Sequence, residues 1–557
     1  MRRLPLAGLA VACGLAVAES GLVLRNLLAG FGRGDLIQLM LPVIAAYAVV
    51  GMAVDALLLR SSPRSSLRAR SAGVAAVALG VGIASGQLLF SLVMVVLAAW
   101  LWAQIALSRR SWPLAALLAL GALWRTLPGW GGTPAPTTLA ATAPQGPNIA
   151  LIVMDTLRRD RCSTYGYERE TAPNLTALAQ RGARFDYAWS TSHWSLAAHG
   201  SIFTGLLPSQ HKADGGNRHM DPSQTLFTEL LARAGYDTAG FSGNPFAGTG
   251  TGMARGFVTF EDHWRRFTLG EVMLGLRAYN AWFAPDRDKG SRAIVSGVEG
   301  WLADRDPNRP FFLFVNLMEP HAPFQEAPLP WRMRFTEESR QALERAGERL
   351  HMAQIFDVPV DEDERRIGGE ALDGCVLATD AQLGRILAML GEDTVIFVIA
   401  DHGEGLGEHG HYGHNIGLWE ELLRVPMVAA GPGIPAGVVV SDPVSLLDLQ
   451  PTLLGLAGLP APARRGQDLL PMLRGEVSFA GRQVYAEQGD AVYTTSGWKT
   501  RHPTRDLSPE RIPRAAVTDG HFKRVIVSDG RDLGYDLWTD PLELAPFDGA
   551  RTALDPP

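Results

Sequence analysis

A stretch around Ser195 has the residue types and spacing of a nucleophilic site. Polar, turn-favouring residues end at Ser195, and the apolar residues 196–198 that follow are typical of a helix, so we predict that Ser195 caps a helix N-terminus. Free backbone N–H groups and the helix dipole would there favour an alkoxide and an incoming phosphate or sulfate. His199 lies four residues on, on the same face of the predicted helix. Taken alone, an ordinary capping serine beside a surface histidine explains this stretch more simply.

Further reactive residues follow three apolar runs that are typical of buried strands. The runs and the residues after them are 149–154 with Asp155, 311–317 with His321, and 395–400 with Asp401 and His402. In open α/β sheets, ligand sites form beyond the carboxyl ends of the strands. Each residue alone is explained by a capping or packing role. Together they favour a metal site at one edge of the sheet.

The residue types at this edge restrict the choice of metal. Asp155, Asp401 and His402 offer two carboxylates and one imidazole, and Ser195 adds a fourth ligand. Calcium prefers shells of six or more oxygens, whereas zinc and manganese accept a smaller mixed set. We therefore predict one divalent metal ion, with zinc or manganese favoured over calcium. A metal at Ser195 would lower the pKa of the hydroxyl and neutralise the oxygens of a tetrahedral anion, as displacement at an anionic ester requires.

The elements that must position these residues alternate between apolar runs and amphipathic stretches. Strands are predicted at 149–154, 238–241, 311–317 and 395–400, and helices at 174–181, 225–234, 292–302 and 371–390. Such alternation predicts an α/β domain whose largely parallel central sheet is covered by helices on both faces.

The residues before this domain are apolar enough to cross a membrane several times. Hydrophobic residues make up 47% of the 557-residue chain and charged residues only 19%, and the apolar excess lies at the N-terminus. The predicted spans are 4–24, 36–59, two short helices within 72–107, and 112–127. If the segment 72–107 crosses only once, the bundle has four spans rather than five.

Arginines in the connecting segments predict the orientation of this bundle. They cluster before the first span, in the loop 60–70 and at 109–110, which places these segments in the cytoplasm. Five spans would leave the rest of the chain outside, so we expect a multi-pass inner-membrane protein with a periplasmic catalytic domain. The net charge of −6 and the lack of a basic stripe outside these loops argue against a nucleic-acid partner.

Composition divides the chain into four parts. The transmembrane domain covers 1–130, and the segment 131–147, rich in Pro, Ala and Thr, is predicted to be an extended linker. A catalytic domain over 148–475 follows. The remainder, 476–557, is predicted to form a small α+β subdomain with a hairpin at 515–527.

Several motifs, in order, resemble the sulfatase family of the alkaline-phosphatase-like superfamily. They include N-I-A-L-I-V-M-D-T-L-R-R-D (148–160), T-A-P-N-L-T-A-L-A-Q-R-G (171–182), the Ser195 stretch, N-L-M-E-P-H-A-P-F (316–324) and D-H-G-E-G-L-G-E-H-G-H-Y-G-H (401–414). The resemblance covers nearly everything from residue 148 onward. It implies an alkaline-phosphatase-like α/β fold and a metal-dependent ester hydrolase or transferase.

The resemblance also implies roles for individual residues. The implied metal ligands are Asp155, Asp401 and His402, and Ser195 falls at the position of the nucleophile. Four more residues surround the reacting group: His199 in place of an arginine that supports the nucleophile, His321 near the leaving group, His414 in place of a lysine that contacts the anion, and Asn244 in the substrate pocket.

The sequence also departs from the sulfatase pattern. The modification signal C-x-P-x-R reads Ser-Leu-Ala-Ala-His over 195–199, which argues against conversion of Ser195 to formylglycine. Thr156 replaces a second metal-binding aspartate. With these departures, the sequence looks closer to phosphodiesterases, phosphonate-ester hydrolases and membrane-bound phosphoethanolamine or phosphoglycerol transferases. These enzymes use an unmodified hydroxyl.

The first hypothesis is therefore a membrane-anchored, extracytoplasmic hydrolase of sulfate or phosphate esters that forms a covalent intermediate on Ser195. The alternative is a transferase that passes the group to an envelope lipid or glycan. A catalytically silent binding domain is a third hypothesis, which the complete set of ligand types and the hydroxyl nucleophile disfavour.

Overall fold

The computed structural model of the chain describes residues 144–264 and 288–555. No helix within these two ranges is long and apolar enough to span a bilayer. The predicted transmembrane domain and most of the predicted linker lie outside the described residues, so the predicted spans and orientation stay predictions.

The described strands, in chain order, are β1 (Asn148–Met154), β2 (Ala183–Phe185), β3 (Ala188–Trp189), β4 (Asp237–Ser242), β5 (Thr259–Asp262), β6 (Phe311–Leu317), β7 (Thr394–Ile399), β8 (Gly405–Leu406), β9 (Tyr412–Gly413), β10 (Arg424–Val425), β11 (Met427–Ala430), β12 (Val438–Val440), β13 (Val444–Ser445), β14 (Val484–Gln488), β15 (Arg514–Thr518), β16 (Phe522–Val527), β17 (Asp532–Asp536) and β18 (Phe547–Asp548).

The described α-helices are α1 (Pro173–Gln180), α2 (Ser195–Thr204), α3 (Pro208–His211), α4 (Phe227–Ala234), α5 (Ser291–Asp304), α6 (Leu329–Arg332), α7 (Arg340–Phe356), α8 (Glu362–Met389), α9 (Glu420–Leu423), α10 (Leu449–Leu456), α11 (Leu470–Leu473), α12 (Val492–Arg501) and α13 (Ser508–Arg511).

The central sheet has eight strands in the order β12-β2-β11-β7-β1-β6-β4-β5. Neighbours from β7 to β5 run parallel, and β11 is antiparallel to both β7 and β2. The sheet is therefore mixed but largely parallel, as predicted. Its central strands β1, β6 and β7 are almost wholly buried, because parallel strands covered on both faces consist of continuous apolar runs.

The register of the three central strands sets the position of the site. Val153 of β1 pairs with Asn316 of β6 on one side and with Ile399 of β7 on the other. The carboxyl ends of the three strands consequently lie side by side. The residues that follow β1 and β7 are brought to the same edge of the sheet.

Helix α8 is longer than its apolar pattern predicts. The pattern predicts a helix from residue 371, whereas α8 begins at Glu362. Asp361 caps it, since its carboxylate accepts a 2.8 Å hydrogen bond from the backbone N–H of Glu364, and Glu364 bonds back to the N–H of Asp361. The polar first turns contribute little to apolar periodicity, which explains the missed start. The acidic run 361–364 therefore forms the start of this helix.

The C-terminal part forms an antiparallel sheet in the order β14-β15-β16-β17-β18. The predicted hairpin at 515–527 is confirmed as β15 and β16. Apolar residues of this sheet, such as Val484 and Val525, share a buried cluster with Trp189 of β3 and Leu423 of α9. The sheet thus packs on segments that flank the Ser195 stretch and the residues after His414. The boundary predicted at 475 stays a prediction.

Candidate active site and metal centre

Two carboxylates and one imidazole converge beyond the ends of β1 and β7. Asp155 follows β1, and Asp401 and His402 follow β7. Each offers one ligand atom, and these atoms all lie within 4.8 Å of one another. All three residues are buried. The pairing of β1 with β7 produces this cluster, as the strand-end pattern predicted.

Each carboxylate has one oxygen in hydrogen bonds and one buried oxygen without a hydrogen-bond partner. Oδ2 of Asp155 accepts from the amides of Asn244, at 2.6 Å, and Asn316, at 2.9 Å, whereas Oδ1 has no partner. Oδ1 of Asp401 accepts from the backbone N–H groups of Thr156 and His402, and Oδ2 has no partner. Buried oxygens of this kind are expected at a cation site. The carboxylates therefore fit a divalent metal ion.

The imidazole of His402 is also arranged as a ligand. Its Nδ1 lies 2.9 Å from the carbonyl oxygen of Gly403, to which Nδ1–H donates. Nε2, the other ring nitrogen, then carries no proton and offers its lone pair. Burial lowers the pKa of His402 to about 4, which keeps the imidazole neutral at neutral pH. Neutral imidazole is the form that binds metals.

The electrostatics of the two carboxylates fit a site for a cation. Burial and the nearby charge of Asp401 raise the pKa of Asp155 to about 8. Although burial also opposes ionisation of Asp401, His402 and His199 hold its pKa below the ordinary value. A divalent cation would neutralise both carboxylates at this position.

Ser195 is directed at the same cluster. It is the first residue of α2, and the residue at the N-cap is Trp194, so the prediction that Ser195 itself caps the helix is wrong by one position. Its Oγ lies 2.9 Å from Nε2 of His402, to which the hydroxyl donates. The backbone is extended at Trp194 and becomes helical only afterwards, which releases the Ser195 side chain from capping.

His199 is buried, so the interpretation of this residue as a surface histidine is wrong. Its Nδ1–H donates to the carbonyl oxygen of Ser195 at 2.8 Å, and Nδ1 lies 3.5 Å from Oδ2 of Asp401. Its Nε2 accepts from the amide of Asn316 at 3.4 Å. His199 therefore contacts the backbone of Ser195 and the carboxylate of Asp401, and these contacts position both groups.

His321 and His414 form a row of imidazoles with His402. The ring centroid of His414 lies 4.5 Å from that of His402 and 4.7 Å from that of His321. Nδ1 of His414 lies 2.9 Å from a carboxylate oxygen of Glu404. Although burial opposes the charged form, Glu404 raises the pKa of His414. The raised pKa favours the charged form of His414 beside the candidate metal site.

All eight predicted site residues lie in this one network. Asn244, predicted to line the substrate pocket, is buried, and its described side-chain contacts are with Asp155 and the N–H of Phe246. Sequence reasoning missed Asn316 and Glu404. The only signal for Asn316 was a polar residue in the apolar run of β6, and Glu404 lies two residues after His402.

Thr156 has a backbone conformation that is unusual for its residue type. Its φ is 55°, in the left-handed region that β-branched residues rarely adopt. This conformation lets its N–H donate to Oδ1 of Asp401 at 3.1 Å. Its buried hydroxyl has no hydrogen-bond partner. Such local strain is characteristic of functional sites.

The mixed sheet and the buried cluster beyond its strand ends define an α/β protein with a candidate metal centre. A family model described as Sulfatase matches residues 147–459, more than half of the chain. The chain therefore belongs to the sulfatase family. It is a sulfatase-like hydrolase, and members of this family bind a divalent metal. The predicted resemblance to this family is confirmed.

Individual relatives agree with this assignment. A sulfatase of Formosa agariphila is 27% identical over 442 residues, which cover 71% of this chain and 82% of that protein. A choline-sulfatase of Rhizobium meliloti is 27% identical, over 72% of this chain and 81% of that protein. The crystal structure of a phosphonate monoester hydrolase of Agrobacterium radiobacter has a TM-score of 0.56 at 24% identity and covers 72% of this chain and 91% of that one. The last likeness confirms the alkaline-phosphatase-like fold.

Proposed function

We propose that this protein is a membrane-anchored, extracytoplasmic hydrolase of sulfate or phosphate esters that acts through a covalent intermediate on Ser195. The observation that carries the proposal is the position of Ser195 Oγ, 2.9 Å from His402 within the cluster of Asp155, Asp401 and His402. The relatives named as sulfatase and choline-sulfatase support sulfate esters as the substrate class.

In the proposed reaction, the Ser195 hydroxyl gives its proton to a solvent base, and Oγ forms a bond to the sulfur or phosphorus of the ester. The bond from that atom to the leaving alcohol breaks, and the alcohol oxygen takes up a proton held by His321 or His414. Water later attacks the same sulfur or phosphorus and displaces Ser195. One proton of the water goes to Oγ, the other goes to solvent, and free sulfate or phosphate leaves. His199 keeps the start of α2 in place through the Ser195 carbonyl, at 2.8 Å.

Asp155, Asp401, His402 and Ser195 would hold the divalent metal ion. When bound, the metal would lower the pKa of the serine hydroxyl and neutralise the anionic oxygens of the ester. Two carboxylates with one imidazole suit zinc or manganese better than calcium, because calcium prefers a larger shell of oxygens only. Asn244 acts here by orienting Asp155, and we expect it to border the bound ester.

The alternative function is transfer of the group to an envelope lipid or glycan. The five membrane spans predicted ahead of the site favour it, because they would hold the site near lipid head groups. Release of free sulfate or phosphate from a soluble ester, with no acceptor present, favours hydrolysis. Turnover that requires an added lipid or glycan acceptor favours transfer.

Substitution of the nucleophile tests the proposal directly. Ser195→Ala in the full-length protein should lower turnover of 4-nitrophenyl sulfate or phosphate by about 10⁴-fold or more. Metal content, measured by elemental analysis, should stay largely intact because three ligands remain.

Ser201→Ala is a matched control. Ser201 is a buried serine of the same helix whose Oγ lies 3.2 Å from Nε2 of another histidine, His211, away from the metal cluster. Its turnover should stay within about threefold of the wild type. Turnover by Ser195→Ala at the wild-type rate would contradict the role of Ser195.

A further inference from the structure

Glu404 is a buried carboxylate that contacts the segments carrying two of the candidate catalytic histidines. One oxygen, Oε1, lies 2.9 Å from Nδ1 of His414. The other, Oε2, accepts a 3.1 Å hydrogen bond from the backbone N–H of Ala322, the residue after His321. A single carboxylate thus links the segments of His414 and His321.

The backbone of Glu404 is itself anchored. Its carbonyl oxygen accepts a 3.0 Å hydrogen bond from the guanidinium of Arg158. Arg158 is buried and is held by Asp160, at 2.7 and 2.9 Å, and by Glu408, at 2.6 Å. The backbone that carries the Glu404 carboxylate is therefore held in place. Its two hydrogen bonds in turn hold the His414 ring and the Ala322 peptide.

The contact with Glu404 fixes the role of one ring nitrogen of His414. An ionised carboxylate only accepts hydrogen bonds, so Nδ1 of His414 must carry a proton and donate it to Glu404. Nε2 is then the ring nitrogen left for the site. The backbone of His414 is fixed as well, because its carbonyl oxygen lies 2.7 Å from Nδ1 of His193. The ring cannot turn without breaking the bond to Glu404.

We infer that Glu404 is a positioning residue for ester cleavage, which orients the imidazole of His414 directly and the segment of His321 through the Ala322 peptide. The inference rests on the proposed function, in which these histidines contact the anion or protonate the leaving alcohol. Carboxylates that orient metal-binding imidazoles are worth about 10- to 100-fold in activity, and we expect an effect of this size at His414. The described side-chain hydrogen bonds of Glu404 go to His414 and to the Ala322 peptide, and its charge also acts on His402.

Glu404→Gln tests the inference with almost no change in side-chain size. An amide offers one accepting oxygen and one donating NH₂ group, so it cannot accept from both His414 and Ala322. We expect kcat for 4-nitrophenyl sulfate or phosphate to fall by about 10- to 100-fold. KM should change by less than about threefold, because the lost orientation matters mainly in the transition state. Metal content and the fraction of folded protein should match the wild type.

Two comparisons separate positioning from a structural role. Asp380→Asn changes another buried carboxylate, on α8, whose two oxygens accept from the backbone N–H groups of Asn174 and Leu175 outside the described contacts of the site. It should leave kcat and KM within about threefold of the wild type, and a loss as large as that of Glu404→Gln would overturn the inference. In a His414→Ala background, most of the effect of Glu404→Gln should disappear. A full additional 10- to 100-fold loss there would also overturn it.

A structural readout does not depend on turnover. In crystal structures of the wild type and Glu404→Gln, we expect the His414 ring to turn or shift only in the variant. An unchanged ring that keeps its contact with the residue at 404 would overturn the inference, whether or not any ester is cleaved. A wild-type protein that cleaves no sulfate or phosphate ester, yet shows the ring movement in the variant, would count against the proposed function alone.

Discussion

The two oxygens of the Asp155 carboxylate have different surroundings. Asn244 and Asn316 donate to Oδ2, whereas the buried Oδ1 has no partner. The two amides therefore orient the carboxylate and leave one oxygen for a metal ion. This division between an orienting contact and a ligand contact is typical of metal sites.

Asp155→Asn should abolish metal binding while preserving the local structure. The oxygen of the new amide can accept from Asn244 and Asn316, which directs its NH₂ group toward the metal position. We expect elemental analysis to find less than about a tenth of the wild-type metal content, because an outward NH₂ group cannot act as a ligand. The thermal midpoint of the wild type should fall on chelation, and that of the variant should not change, since ligand binding stabilises only the form that binds it.

Asp393→Asn provides the control at the opposite edge of the sheet, where Asp393 precedes β7. The carboxylate of Asp393 accepts a 2.7 Å hydrogen bond from Asn148 at the start of β1. This variant should retain the wild-type metal content. Wild-type metal content in Asp155→Asn would exclude Asp155 as a ligand.

At the scale of secondary-structure elements, the C-terminal sheet is joined to the catalytic part by a buried cation. Nζ of Lys523, on β16, lies 2.7 Å from Glu543 and 3.3 Å from Glu420 at the start of α9. It also lies 5.4 Å above the ring of Trp189 on β3. Although burial opposes the charged form, the two carboxylates raise the pKa of Lys523. The cation thus links the sheet to segments near the site.

Lys523→Met should destabilise the protein by about 3–5 kcal/mol, because it leaves two buried carboxylates without a counter-charge. Urea denaturation followed by tryptophan fluorescence measures this change. Lys499→Met is the control, since the described hydrogen bond of the Lys499 ammonium group goes to the carbonyl of Arg505 at an exposed position. The control should change stability by no more than about 0.5 kcal/mol. An unchanged denaturation midpoint for Lys523→Met would show that the buried ion pairs make no net contribution to the free energy of unfolding.

At the scale of the whole molecule, the apolar residues 1–130 predict that the full chain resides in the inner membrane with its hydrolase domain outside. We expect the chain to sediment with membranes, to resist an alkaline wash and to dissolve only in detergent. Protease added to spheroplasts should digest the domain that follows residue 147. Protection from the protease would indicate four spans and a cytoplasmic site, and recovery in the soluble fraction would contradict the membrane prediction.

Local patterns in the sequence predicted most of the central sheet and the residues of the candidate metal cluster. The strands at 149–154, 311–317 and 395–400 were placed within one or two residues, because a buried parallel strand is a continuous apolar run. Asp155, Asp401 and His402 were found because strand ends in α/β sheets meet at one edge. An apolar run and the polar residue that follows it are both recognised from residues close together in the chain.

The hydrogen bonds that orient those residues were decided by the tertiary structure alone. Asn316 lies 161 residues from Asp155, and Glu404 lies 82 residues from Ala322. Their contacts depend on strand order, on register and on the path of the loops after each strand. The hydroxyl of Ser195 likewise contacts His402, 207 residues away, instead of the cap position that the local pattern predicted. A sequence pattern records neighbours along the chain, whereas these partners become neighbours only when β1, β6 and β7 align.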